Sequence, residues 1–91
     1  MMYTPNQIID SIRKLEMLEE LANACDSEWE QNPESEEAEQ AFDDAYRAEF
    51  QQAEICAMMI HEYSMKAIDL KTARRMISHQ YRGKFLESIG A

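Results

Sequence analysis

The sequence contains no valine, and it has only two glycines and two prolines among its 91 residues. A β-sheet fold needs β-branched residues in its strands and many turns between them, so this composition argues against one. Glutamate and alanine are the most frequent residues instead, and methionine, glutamine and leucine are also well represented; all five favour helix. We therefore expect an all-α fold in one domain that comprises residues 1–91.

Long apolar runs are also missing. Because no stretch approaches the roughly eighteen apolar residues that a membrane helix requires, we expect no membrane-spanning segment. The first residues, MMYTPNQIID, do not combine a basic stretch with an apolar core, so we predict no secretory signal. These features favour a soluble, cytoplasmic protein.

The sequence has only two cysteines, Cys25 and Cys56. If Pro33 marks a turn between antiparallel helices, Cys25 lies opposite a residue near position 40. The rise of an α-helix then separates the two sulfur atoms by roughly 20 Å, which is beyond disulfide reach. We predict two free thiols in the core.

The start of the first helix is well marked. Thr4 and Gln7 form a capping-box pattern around Pro5, which suits the first helical position. Apolar residues then recur every three or four positions up to Trp29. The pattern predicts a helix over about residues 5–31.

The second helix follows the strong break at Asn32-Pro33 and is predicted over about residues 34–67. Its N-cap is either Asn32 or Ser35, and both remain open. Two adjacent apolar stripes run along it, so it should contact more than one partner. Because the connection is short, we predict a long antiparallel hairpin with the first helix.

A third helix is predicted over about residues 70–88, with Asp69 as its N-cap. Gly83 either ends this helix or only weakens it. An unbroken helix from Glu34 to Tyr81 is the alternative. The predicted architecture is thus a three-helix bundle built on the long hairpin.

Charge is unevenly distributed along the chain, whose net charge is −9. Residues 1–65 carry sixteen acidic and three basic side chains, whereas residues 66–91 carry six basic and two acidic ones. Eleven of the acidic residues lie between Asp26 and Glu54, where Arg47 is the one basic residue. This segment favours helix too strongly to be a disordered acidic tail.

We interpret the acidic segment as a surface for a basic protein partner. Carboxylates on a rigid helix can occupy the positions that a nucleic-acid-binding cleft offers to phosphates, and their charge speeds association. Direct binding of nucleic acid through these side chains is excluded by their sign. The residues we select for partner binding, with Tyr46 as an aromatic anchor, are Glu36, Glu37, Glu39, Asp43, Asp44, Tyr46 and Glu49.

In size, acidity and helical content the chain resembles the small phage-encoded inhibitors of host defence, among them anti-CRISPR and anti-restriction proteins. The resemblance is one of composition. It implies an inhibitor that acts as a DNA mimic on a nuclease or another nucleic-acid-binding protein. The alternative interpretation of the acidic residues is a solvated face that keeps a small protein soluble.

Catalytic and metal-binding patterns are not found. His61 lacks the second histidine of a zinc-protease helix, and neither histidine has a glutamate three residues earlier, as a di-iron bundle requires. No pair of carboxylates is set in an apolar context that would tune acid–base chemistry. We expect a non-enzymatic protein without metal or cofactor.

Two further interpretations remain. The basic residues Lys71, Arg74 and Arg75 would contact nucleic acid if the third helix were a recognition helix, but pairing of this end with the acidic hairpin fits the sequence better. The many aromatic and methionine residues instead favour a homodimeric regulator or assembly factor that contacts its partners through an apolar surface of the second helix.

Overall fold

The computed structural model describes residues 3–90, which form four α-helices. The helices are α1 (Pro5–Gln31), α2 (Glu36–Tyr63), α3 (Leu70–Met76) and α4 (His79–Ser88). Helices α1 and α2 pack as a long antiparallel hairpin, and the two short helices follow it. The all-α class and the hairpin are confirmed, but the prediction of three helices is wrong.

Helix α1 begins and ends where the sequence indicates. The Thr4 hydroxyl accepts a hydrogen bond from the Gln7 amide at 3.2 Å, and the Gln7 side chain accepts one from the Thr4 amide at 2.8 Å. This reciprocal capping box satisfies two backbone donors that have no partner within the helix.

Helix α2 is shorter at both ends than predicted. Ser35 is its N-cap and accepts a hydrogen bond from the Ala38 amide at 3.2 Å, which decides between the two candidate caps. The helix ends at Tyr63 because Met65 and Lys66 have φ angles of 57° and 67°. Such left-handed backbone cannot continue an α-helix. The predicted end at position 67 and the unbroken helix to Tyr81 are therefore wrong.

The predicted third helix is interrupted between Met76 and His79. Ser78 has an extended ψ of 157°, and its hydroxyl donates a hydrogen bond back to the Arg75 carbonyl at 2.6 Å. Chain direction thus changes at Ser78, and Gly83 lies inside α4 without ending it. The resulting corner places Arg74 and Arg82 on two separate helices.

The core fills the end of the hairpin that the two short helices cover. Ile8 and Ile12 of α1 and Ile60 of α2 are completely buried, and residues from α3 and α4 close the cluster over them. The whole core cluster comprises Ile8, Ile12, Leu15, Cys56, Ala57, Met59, Ile60, Ala73, Ile77, Phe85 and Leu86. The opposite end, near Pro33, consists of the hairpin alone, which makes the molecule elongated at 47 × 21 × 19 Å.

Both cysteines are free, as predicted, but only Cys56 is buried. Its sulfur lies 3.2 Å from the Ser11 hydroxyl, and burial raises the pKa of its thiol above the ordinary value. Within residues 3–90, none of the helices is long and apolar enough to cross a lipid bilayer.

Candidate functional site

Five of the predicted partner-binding carboxylates lie exposed on the first half of α2, near Pro33, which α3 and α4 do not cover. Glu36, Glu37 and Glu39 are in its first turn, where the positive end of the helix dipole stabilises anions. Asp43 and Asp44 follow one turn later and are also exposed. We call these five residues the acidic face.

No basic side chain of residues 3–90 forms an ion pair with the acidic face. Among the described residues, the ion pairs join Arg13 to Glu16, Arg74 to Glu54 and Arg82 to Glu19, and His79 contacts Glu19 at 3.3 Å. None involves the acidic face; Asp44 only accepts a hydrogen bond from the side-chain Nε2 of Gln40 at 2.9 Å. Its charge is therefore directed to solvent.

The acidic face consists of two strips of carboxylates along α2. Glu36, Glu39 and Asp43 recur at steps of three and four, so they form one strip along α2 that Tyr46 and Phe50 continue. Glu37 and Asp44 are each one residue further on, which rotates them by about 100° around the helix. The first strip therefore joins carboxylates to aromatic rings, and the second does not.

Aromatic side chains stack along this part of the hairpin. The Trp29 ring of α1 lies 5.5 Å from the Phe42 ring at 25°, and Phe42 lies 6.0 Å from Tyr46. Trp29 and Phe42 are half-buried, whereas Tyr46 remains 58% exposed. The row ends in an accessible ring beside the acidic face.

Glu49 lies elsewhere, in a cleft between α2 and the α3–α4 corner. The cleft has a volume of about 240 Å³. It is lined chiefly by Tyr46, Glu49 and Phe50 on one side and by Arg74, Ile77 and Arg82 on the other. Glu49 is half-buried there; burial and the nearby Glu19 carboxylate raise its pKa.

An ion pair closes the floor of the cleft. Arg82 places both terminal nitrogens on the Glu19 carboxylate, at 2.7 and 2.8 Å, and donates its Nε to the Ile77 carbonyl at 2.8 Å. The hydrogen bonds from Arg82 lower the pKa of Glu19. Because this bidentate pair satisfies both groups, neither is free to bind a ligand's charge.

Arg74 occupies the rim of the cleft. Its guanidinium carbon lies 4.9 Å from the centre of the Phe50 ring, and its Nη1 pairs with Glu54. The basic end of the chain thus folds back on the acidic segment through Arg74, whereas Lys71 and Arg75 are exposed. Since Arg74 is engaged and α3 has only seven residues, this corner offers little support for a recognition helix.

Sequence reasoning did not find the cleft. Glu19 and Arg82 are separated by 63 positions, and nothing in the local pattern of either residue indicates its partner. The one sequence feature that indicated ion pairing is the contrast between the acidic residues 1–65 and the basic residues 66–91. In the described part of the chain, no three histidine, cysteine or acidic side chains come together in a way that could hold a metal ion.

Comparison with protein families, with curated proteins and with solved structures gives no match to this chain.

Proposed function

We propose that the protein is a non-enzymatic binder that inhibits a nucleic-acid-handling protein through the acidic face of α2. The observation that supports this proposal most directly is the set of exposed carboxylates with which no basic group of residues 3–90 forms an ion pair. A basic, phosphate-binding cleft is the surface to which such a helix is complementary.

The position of Tyr46 adds to this proposal. Binding hot spots are usually aromatic or arginine side chains surrounded by polar contacts, and Tyr46 lies at the inner end of the Glu36–Glu39–Asp43 strip. A partner that matches the strip by charge would also cover this ring. An anti-CRISPR or DNA-mimic role in a phage is the most specific form of the proposal.

The test is charge reversal with a matched control. In the first variant Glu36, Glu39 and Asp43 become lysine; in the control the exposed residues Asp10, Glu20 and Glu87 become lysine. Both variants change the net charge equally. Partners captured from host extract by the unaltered protein are identified by mass spectrometry, and their affinities for all three proteins are then measured.

We expect the first variant to lose binding and the control to retain most of it, with circular dichroism showing equal helicity. Affinity for the unaltered protein should fall steeply with ionic strength, and the partner's own nucleic acid should compete. Equal affinity for both variants, or no competition by nucleic acid, would overturn the proposal.

A second candidate function, a homodimeric regulator, is favoured by a different observation. Four large apolar side chains of α2 are each about half exposed, namely Tyr46, Phe50, Ile55 and Met58. The spacing places Ile55 and Met58 on a different side of the helix from Tyr46 and Phe50. Aromatic and methionine residues are enriched at protein interfaces. Sedimentation equilibrium separates the two candidate functions. A dimer held by apolar contacts should persist at high salt, and a chain that remains monomeric up to high protein concentration would exclude the homodimeric regulator.

A further inference from the structure

The chain itself shows how the exposed side of α2 holds a guanidinium group. Phe50 and Glu54 are one turn apart, and Arg74 from α3 lies over the Phe50 ring while it pairs with the Glu54 carboxylate. A ring and a carboxylate at this spacing therefore clamp an arginine between a cation–π contact and an ion pair.

The preceding turn of α2 presents the same two kinds of group to the cleft. Tyr46 and Glu49 are three positions apart, which places them side by side on the helix surface, and both line the cleft. Tyr46 is more than half exposed. Glu49 forms no ion pair with any residue between 3 and 90.

The balance of charge in the cleft favours a cationic occupant. The charge of Arg82 is matched by Glu19, and that of Arg74 by Glu54. Glu49 is the remaining charged residue among those that line the cleft. A cation in the cleft would therefore meet one carboxylate that has no ion-pair partner among residues 3–90.

We propose that the cleft binds a guanidinium group, supplied by an arginine side chain of the partner protein, between the Tyr46 ring and the Glu49 carboxylate. A volume of about 240 Å³ lies below the range of drug-sized ligand pockets and suits a single side chain. A guanidinium fits better than an ammonium because it is planar, stacks on aromatic rings and bonds carboxylates in a bidentate manner.

This inference deepens the proposed function and rests on it for the identity of the partner, but the cleft can be tested without the partner. The probe is N-acetyl-arginine methylamide, titrated into the isotopically labelled protein and followed by NMR. The lysine and citrulline analogues serve as controls, because citrulline keeps the shape of arginine without its charge.

The expected result is a saturable shift of the Tyr46 ring and Glu49 side-chain signals with the arginine probe, and at least about fivefold weaker binding of the lysine and citrulline probes. The Glu49→Gln variant should bind the arginine probe about tenfold less tightly, whereas Glu20→Gln on the exposed side of α1 should bind it normally. Unchanged amide spectra in both variants verify the fold.

Equal binding of the lysine probe would overturn the guanidinium assignment, and unchanged binding in Glu49→Gln would overturn the site. These outcomes are distinct from failure of the proposed function, which is measured by partner binding of the charge-reversed acidic face. A cleft that binds the arginine probe in a protein whose acidic face binds no partner would uphold the site and refute the inhibitor.

Discussion

The Glu19 carboxylate on α1 accepts two parallel hydrogen bonds from the Arg82 guanidinium on α4, at 2.7 and 2.8 Å. The Arg82 side chain is 8% exposed and that of Glu19 is 14% exposed. The geometry is the bidentate one that makes arginine–carboxylate pairs strong. This pair ties the C-terminal helix to the hairpin and sets the floor of the cleft.

Removing one partner of this pair should cost more than removing both. Glu19→Gln leaves the buried Arg82 charge without compensation, and we expect a loss of about 3 kcal/mol in the free energy of unfolding. For a chain of this size the melting temperature would fall by more than about 10 °C. The double variant Glu19→Leu with Arg82→Met replaces the pair by apolar groups and should remain within about 1 kcal/mol of the parent. Urea unfolding measures both; equal losses would show that the pair is not the cause.

Acid should destabilise the fold through Glu19. Its pKa is lowered from the ordinary value of 4.5, chiefly by hydrogen bonds from Arg82. A carboxyl group with a depressed folded-state pKa contributes stability above its unfolded pKa, and this contribution disappears as pH falls through the folded value. Urea unfolding at a series of pH values from 7 downward should show this loss. In Glu19→Gln the loss should be smaller, and an identical pH profile would contradict the assignment.

Glu49 should have the opposite effect. Its pKa is raised, first by burial and then by Glu19. A carboxyl group with a raised folded-state pKa favours folding while protonated, and this contribution is lost as pH rises through the folded pKa. A glutamine at this position cannot ionise and therefore does not lose stability as the pH rises. We expect Glu49→Gln to stabilise the protein at neutral pH by a few tenths of a kcal/mol. No gain should be seen in acid, where Glu49 is already protonated. Destabilisation at pH 7 would indicate a favourable contact that the structure does not show.

The hairpin was predictable because its signals are local. Thr4, Pro5 and Gln7 mark one helix start within four residues, and Pro33 followed by Ser35 marks the next. Such signals act through hydrogen bonds between sequence neighbours, so the sequence alone contains them. The acidic residues of α2 were likewise predictable as a group, since their spacing places most of them away from the apolar stripes.

The C-terminal third was harder to predict because its breaks carry weak local signals. Met65 and Lys66 adopt left-handed backbone although neither is glycine, and Gly83, the apparent breaker, lies inside α4. The chain bends at Met65–Lys66 and at Ser78, and these bends allow Ala73, Ile77 and Phe85 to pack in the core. The cleft follows from that packing, which is why Glu49 was grouped with the exposed carboxylates although it lies apart from them.

The two cysteines should differ sharply in reactivity. Cys25 is half-buried, whereas Cys56 is completely buried and burial raises its pKa; a thiol must ionise and be accessible to react. With a disulfide reagent at pH 8 we expect one fast thiol per chain and one that reacts only after unfolding. In a Cys25→Ser background, the slow rate should follow the unfolded population, so adding Glu19→Gln should accelerate it by about a hundredfold. Fast reaction of Cys56 in the otherwise unaltered chain would mean that the core under α3 and α4 opens locally, independently of the Glu19–Arg82 pair.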